Sequence, residues 1–224
     1  MSSGQIGCIV LWGLSFLVSD LLSVSIHQFQ ADCLQLCEQH YPTVHNRGMR
    51  ENHLGKALCR RVLSTLQQAD FEAALQQYHD DDNLAQPIFK IETTGFIIWV
   101  IAHRLVSANL ACRDALIQSV NTAYRQTCQD KQHHLLIVSD HWFDRSRASK
   151  EVPAWWLGQV PENIDDYLAD GIRLQEPTQV LPECLQQTYR LPEGIHQVHH
   201  PLKRHGSDKI VHKYILLTAY YRMQ

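Results

Sequence analysis

The sequence lacks the short motifs that identify several large enzyme classes. It has no glycine-rich phosphate loop, no Gly-x-Ser-x-Gly nucleophile elbow and no His-Glu-x-x-His zinc motif. Its seven cysteines are an odd number and show no repeated short spacing of the kind found in a zinc ribbon or a disulfide framework. We therefore expect no resident metal, and small buried thiols in a reducing, cytoplasmic compartment.

Charged residues are also sparse. They make up 19% of the chain against 45% hydrophobic residues, a balance typical of a globular protein. Because the formal net charge is −3, the molecule as a whole would not attract nucleic acid, so any nucleic-acid-binding site must be a local patch.

The length of 224 residues predicts a single domain. Its expected parts are a helical region (1–80), an α/β core (87–140) and a wrapping C-terminal region (141–224).

The first 46 residues contain no lysine or arginine. The apolar segment 6–18 therefore lacks the basic flank of a secretory signal, and we expect no export. This segment is also shorter than the roughly 20 residues that span a bilayer. The sequence favours a buried first helix, with membrane association as the alternative.

Hydrophobic spacing predicts helices first and a sheet later. The predicted helices cover residues 20–40, 51–68, 71–78, 111–128, 162–169 and 179–188. The predicted strands cover residues 88–91, 96–102 and 134–139, while 210–221 fits either a strand or a buried helix. The expected fold class is α/β (or α+β), with N-terminal helices followed by a small mixed sheet and flanking helices.

The segment 46–61 is the first candidate binding surface. Its five cations, opposed by Glu51 alone, are Arg47, Arg50, Lys56, Arg60 and Arg61. Two of them precede the predicted helix N-terminus, where free backbone N–H groups also favour anions. These residues predict a nucleic-acid-binding surface, and the alternative is a solvated face opposite the apolar stripe of the helix.

The loop 140–150 is the second candidate surface. It carries Arg145 and Arg147 and leads into Trp155 and Trp156. Basic residues beside exposed tryptophans bind a nucleic-acid strand through charge and stacking. Tryptophans are also common anchors for a protein partner. A third interpretation is that both rings pack over the sheet.

The order strand, turn, strand, helix, strand over about residues 50–140 resembles the core of the restriction-endonuclease-like (PD-(D/E)XK) nuclease superfamily. The resemblance implies a carboxylate on one strand and a Glu-x-Lys on the next, which together hold Mg²⁺ and activate water. Glu92 is the candidate for the first carboxylate. Ile101-Ala102-His103 stands where Glu-x-Lys would fall, so a metal ligand is missing and the motif is degenerate.

Polar residues follow two of the predicted buried strands. His103 ends the strand 96–102, and Asp140 and His141 follow the strand 134–139. If these strands are parallel neighbours, the three residues share one edge, where an aspartate can orient a histidine for acid–base chemistry. The alternative is that all three are polar groups at the rim of the sheet.

Two functional hypotheses remain open. In the first, the chain is a nucleic-acid-associated protein with a degenerate nuclease-like core, acting as an accessory component of a DNA-processing or defence assembly. Mg²⁺ is expected as a cofactor only if this nuclease hypothesis holds. In the second, the chain is a non-catalytic subunit that binds a protein partner or a second copy of itself through its apolar N-terminal helix and its tryptophan loop.

The histidine-rich segment 196–212 has no recognised ligand spacing and indicates a basic surface whose positive charge increases as pH falls.

Overall fold

The computed structural model describes residues 3–39, 51–78, 87–105, 109–191, 193–204 and 207–223. Within these ranges the helices are α1 (Ser3–Gln39), α2 (Glu51–Gln68), α3 (Leu110–Arg125), α4 (Arg147–Leu157), α5 (Ile164–Ala169) and α6 (Leu181–Tyr189). The strands are β1 (Ala74–Tyr78), β2 (Ile88–Glu92), β3 (Phe96–Arg104), β4 (Gln132–Trp142), β5 (Ile195–His199) and β6 (Tyr214–Met223).

The six strands form one mixed sheet in the order β1-β2-β3-β4-β6-β5. Strands β3 and β4 are parallel and are joined through α3, whereas every other neighbouring pair is antiparallel. The predicted fold class, an α/β fold that begins with helices and continues with a mixed sheet, is confirmed.

The sheet is covered on both faces. Helices α1 and α2 pack against one face, where they meet β3 residues such as Ile98 and Val100. Helices α3 to α6 pack against the other face, where they meet Trp99 and Ile101. Since alternate side chains of a strand point to opposite faces, β3 needs apolar residues at almost every position. This accounts for the run of hydrophobic residues in β3, all of them buried.

Most predicted elements are confirmed, one prediction is wrong, and helix α4 and strand β5 were not predicted. The helix expected over 71–78 is wrong, because Ala74–Tyr78 forms the edge strand β1 and pairs with β2. The ambiguous segment 210–221 contains the strand β6, which lies between β4 and β5. Strand β5 was not predicted, so residues 141–224 add two strands to the sheet as well as three helices.

Helix α2 crosses the sheet antiparallel to β3. Gly55, in its second turn, lies so close to β3 that a Cβ atom there would be 2.8 Å from the Cβ of Ala102. At the far end, the ring of Phe71 packs 5.4 Å from that of Phe96, at the start of β3. Helix α2 therefore begins near the end at which β3 and β4 finish, which we call the C-terminal edge of the sheet.

Candidate functional site

The C-terminal edge brings together the beginnings of three helices. Helices α3 and α4 follow the parallel strands β3 and β4, so both start at this edge, as α2 does. Asn109 and Ser146 cap α3 and α4 by accepting hydrogen bonds from backbone N–H groups. In α/β sheets, ligands bind at the carboxyl ends of the parallel strands, near such helix starts.

His103, Asp140 and His141 all lie at this edge, as the sequence predicts. In the register of β3 with β4, His103 pairs with Ser139 and Arg104 pairs with Asp140. The side chain of Asp140, however, does not meet the two histidines. His103 and His141 face the α3–α6 layer, whereas Asp140 faces α1 and α2, where it accepts a hydrogen bond from the Tyr214 hydroxyl at 3.2 Å. Asp140 therefore cannot orient either histidine.

His141 belongs to a closed hydrogen-bond network. Its Nδ1 lies 2.6 Å from the carbonyl oxygen of Leu105 and must therefore carry the proton. Its Nε2 accepts the hydroxyl proton of Ser149 at 2.7 Å, and the Ser149 oxygen accepts the Asp144 backbone N–H at 3.0 Å. His141 and Ser149 are 1% and 0% exposed, so no substrate reaches this pair. The network joins β4, α4 and the end of β3.

His103 is fully buried rather than a rim residue. Burial lowers its pKa to about 4, although a backbone hydrogen bond at Cys112 partly opposes this shift. The ring is therefore neutral at pH 7. It contributes a polar group to the packing of α3 on the sheet.

Glu92 lies at the opposite end of the sheet from His103. The β2–β3 pair is an antiparallel hairpin, so Glu92, at the end of β2, faces Ile97, near the start of β3. His103 is six positions further along β3, which corresponds to roughly 20 Å. Lys90 and Lys131 bind the Glu92 carboxylate at 2.7 Å and 2.9 Å, and their hydrogen bonds lower its pKa to about 2. Glu92 therefore lies far from His103 and is held by two lysines, so these residues do not fit a magnesium site.

The cations of segment 46–61 have different environments. Arg47 and Arg50 lie outside the described residues. Lys56 and Arg60 are exposed on α2. Arg61 instead turns toward α1, where it donates two hydrogen bonds of 2.6 Å to the carboxylate of Asp32. Arg61 therefore stabilises the α1–α2 contact rather than offering a free phosphate ligand.

The tryptophans of the second candidate surface pack inward. Trp155 is 3% exposed and Trp156 is fully buried. The Trp156 indole N–H donates to the carbonyl oxygen of Thr218 at 3.0 Å, and the guanidinium of Arg113 lies 5.1 Å from the Trp155 ring. Both rings pack over the sheet, so neither is available to a nucleic-acid base or to a protein partner.

Arg145 and Arg147 remain on the surface beside the start of α4. Arg147 forms an ion pair with Glu151 at 3.0 Å, and the same carboxylate also binds Arg113 at 3.0 Å. Arg145 has no ion-pair partner among the described residues. It is therefore the more available cation of the two.

Two further cations lie at the C-terminal edge. Arg104 ends β3, and its Nε atom is buried without a hydrogen-bond partner in the described part of the chain. Lys213 is exposed, and its carbonyl oxygen accepts the backbone N–H of Phe143 at 2.9 Å, which places it next to the end of β4. Its position beside β4 depends on the pairing of β6 with β4.

The histidine-rich segment does not assemble a metal centre in the part of the chain that the structure covers. The ring centroids of His200 and His212 lie 4.7 Å apart with the rings tilted by 57°, and His200 forms a hydrogen bond of 2.8 Å with the hydroxyl of Tyr167. No group of three or more His, Cys, Asp or Glu residues in the described ranges is arranged to hold a metal ion.

No family model, curated protein or solved structure matches this chain. Across the described residues, every helix is too short or too polar to cross a membrane.

Proposed function

We propose that this chain is an intracellular nucleic-acid-associated protein with a nuclease-like, catalytically degenerate core, and that it binds phosphate groups at the C-terminal edge of its sheet. The role that follows is an accessory component of a DNA-processing or defence assembly. The observation that carries the proposal is the set of cations at this edge, beside the starts of α2, α3 and α4. These cations are Lys56, Arg104, Arg145 and Lys213.

The topology supports the nuclease-like part of the proposal. The segment that resembles the PD-(D/E)XK core contains β2, β3, α3 and β4 in the expected order, with a hairpin followed by a helical crossover to a parallel strand. Ile101 stands where that family has its glutamate. Glu92 lies at the opposite end of β3 and therefore cannot supply the missing carboxylate. The chemistry of these residues favours binding without metal-dependent hydrolysis.

The electrostatics support the binding part. Lys56, Arg145 and Lys213 are exposed and have no ion-pair partner among the described residues, so each can contact a phosphate without breaking an existing contact. The side chain of Arg104, at the end of β3, adds a fourth positive charge at the same edge. Although the formal net charge is −3, these four cations lie at one edge of the sheet.

Fluorescence polarisation with labelled single- and double-stranded DNA and RNA tests the proposal. The edge variant Lys56→Glu/Arg145→Glu should lose at least about tenfold in affinity, since two phosphate contacts become repulsive. The control Arg125→Glu/Arg190→Glu makes the same charge change near the C-terminal ends of α3 and α6 and should bind like the wild type. Equal binding by both variants would contradict the proposal.

A specific observation also favours the protein-interaction hypothesis. Leu17 and Val24, seven positions apart on α1, are 43% and 47% exposed and lie on one side of the helix. We expect these two side chains to pack against the same two side chains of a second copy of the chain. Light scattering across a concentration series should show a dimer that Leu17→Lys/Val24→Lys abolishes. A monomer at every concentration would exclude this second candidate.

A further inference from the structure

Strand β1 has an open outer side, which we call the β1 edge. It is the first strand of the sheet, and no described strand pairs with the side that faces away from β2. Successive residues of a strand direct their N–H and C=O groups to opposite sides, so about half of these groups in Ala74–Tyr78 point away from the sheet. Such groups can form hydrogen bonds with an extended segment of another molecule.

Strand β1 lacks the features that usually protect an edge strand. Proteins block such strands with charged side chains, proline, a β-bulge or a covering helix. Ala74–Tyr78 contains no charged residue and no proline, and all five residues pair with β2 in an unbroken register. The other edge strand, β5, has helix α4 packed against it. Of the two edge strands, β1 is therefore better suited to receive a further strand.

An apolar row crosses the sheet and ends at β1. In the strand register, Ile98 of β3 lies opposite Ile91 of β2, and Ile91 lies opposite Leu75 of β1. Ile98 and Ile91 are fully buried, whereas Leu75 is 39% exposed. Cross-strand contacts between apolar side chains stabilise a sheet. A further strand with an apolar residue opposite Leu75 would continue this row and cover the exposed side chain.

The charged residues around β1 in the sequence are of one sign. Residues 62–89 contain five acidic residues and no lysine or arginine. Asp70 and Glu72 precede β1, are exposed and have no ion-pair partner among the described residues. The other three acids, at positions 80–82, follow β1 in the sequence. Lys90, in the neighbouring strand, is already bound to Glu92 at 2.7 Å. The β1 edge therefore suits a positively charged segment.

The same charges argue against a second copy of β1 as the occupant. Antiparallel pairing of β1 with itself would bring acidic residues of the two copies together at both ends of the pair. Like charges that face each other across two strands are destabilising. A partner with basic residues on both sides of a short apolar strand avoids this repulsion and attracts the acids instead.

We infer that the β1 edge is a docking site for an extended, basic segment of a partner protein, which adds a strand to the sheet. The inference is independent of the proposed nucleic-acid function, which uses the C-terminal edge. Backbone hydrogen bonds to β1 supply the affinity. An apolar residue opposite Leu75, flanked by lysines or arginines near Glu72, supplies the specificity.

Fluorescence anisotropy with the full chain tests the charge and the strand conformation of the ligand. The probe is the labelled peptide Lys-Lys-Val-Thr-Val-Thr-Val-Lys-Lys. One control peptide has glutamate at each lysine position, and the other has Pro-Pro in place of the central Val-Thr, which removes one N–H from each side of the strand. Both controls should bind at least about tenfold more weakly than the probe. Equal binding by either control, or no binding of the probe at about 1 mM, would overturn the inference.

Two matched variants locate the binding site. Leu75→Lys removes the apolar contact and adds a positive charge at the β1 edge, so it should weaken binding of the probe at least about tenfold. Ile195→Lys makes the same change at an exposed position of β5 and should leave the affinity within about twofold of the wild type. Circular dichroism verifies that both variants fold. Equal affinities of the two variants would exclude the β1 edge as the site.

Hydrogen exchange measured by mass spectrometry separates strand addition from simple charge attraction, and it uses the unmodified chain. With saturating probe, the peptide segment that contains Ala74–Tyr78 should exchange its amides at least about fivefold more slowly, because its outward N–H groups become hydrogen-bonded. The segment that contains Ile195–His199 should exchange at an unchanged rate. Bound probe with no slowing at Ala74–Tyr78 would refute strand addition.

Discussion

Asp140 and His141 are consecutive residues of β4 whose side chains lie on opposite faces of the sheet. Asp140 accepts a hydrogen bond from Tyr214 on the α1–α2 side, and His141 bonds to Leu105 and Ser149 on the α3–α6 side. The two-residue period of a strand requires this separation. Asp140 and His141 therefore do not form an Asp–His pair for acid–base chemistry, and the case for function at this edge rests on phosphate binding.

The network around His141 should contribute measurably to stability. Ser149→Ala removes one partner from His141 Nε2 and one from the Asp144 N–H, so a buried polar atom loses its hydrogen bond. We expect a loss of about 1–3 kcal/mol in the free energy of unfolding, measured by urea denaturation. Thr188→Ala, at an exposed position of α6, should change it by less than about 0.5 kcal/mol. Equal effects would show that the network is not stabilising.

The Arg61–Asp32 contact should be structural. Both side chains are 28% exposed and joined by two hydrogen bonds, so solvent screens the pair and we expect a coupling energy of at most about 1 kcal/mol. A double-mutant cycle with Arg61→Ala and Asp32→Ala, followed by urea denaturation, measures it. Nucleic-acid affinity should change little in Arg61→Ala. A tenfold loss of affinity would assign Arg61 to the binding surface.

Buried histidines should make the protein less stable in mild acid. Burial lowers the pKa of His103 to about 4 in the folded chain, whereas an unfolded histidine has a pKa of about 6.5. Between these values the unfolded state binds more protons, so this contribution to stability is complete above pH 6.5 and is lost as pH falls toward 4. Urea denaturation from pH 4.5 to 7.5 should show a shallower pH slope for His103→Gln than for the wild type. An identical slope would contradict the buried, neutral ring.

The close approach of α2 to the sheet should require glycine at position 55. In Gly55→Ala, the new Cβ would meet the side chains of Ala102 and Phe89. We expect a net loss of about 1–3 kcal/mol from overpacking, even though alanine favours a helix. Phe89→Leu should relieve part of this loss in the double variant. Additive effects of the two changes would show that the contact is not the cause.

The central strands were predictable because burial on both faces leaves an uninterrupted apolar run. Strand β3 has this pattern and forms where the sequence predicts it. Strand β1 was mistaken for a helix because Ala74–Tyr78 is an exposed edge strand, and only its pairing with β2 makes it a strand. Strand β5 is also a largely exposed edge with alternating burial, and its histidines suggested a loop.

The sequence predicted which edge of the sheet carries polar residues but not how their side chains are directed. The third predicted strand ends at Ser139, which placed Asp140 and His141 in a loop, where they could share one face. In the structure β4 continues to Trp142, so the pleat separates them.

The most direct test of the proposed function is the salt dependence of duplex DNA binding by the wild type and by Lys56→Glu/Arg145→Glu. Each phosphate contact adds about 0.9 to the slope of log Kd against log salt concentration. If both cations bind phosphates, the variant should bind more weakly, and its slope should fall by about 2. An unchanged slope, or no binding by the wild type at low salt, would contradict phosphate recognition at the C-terminal edge.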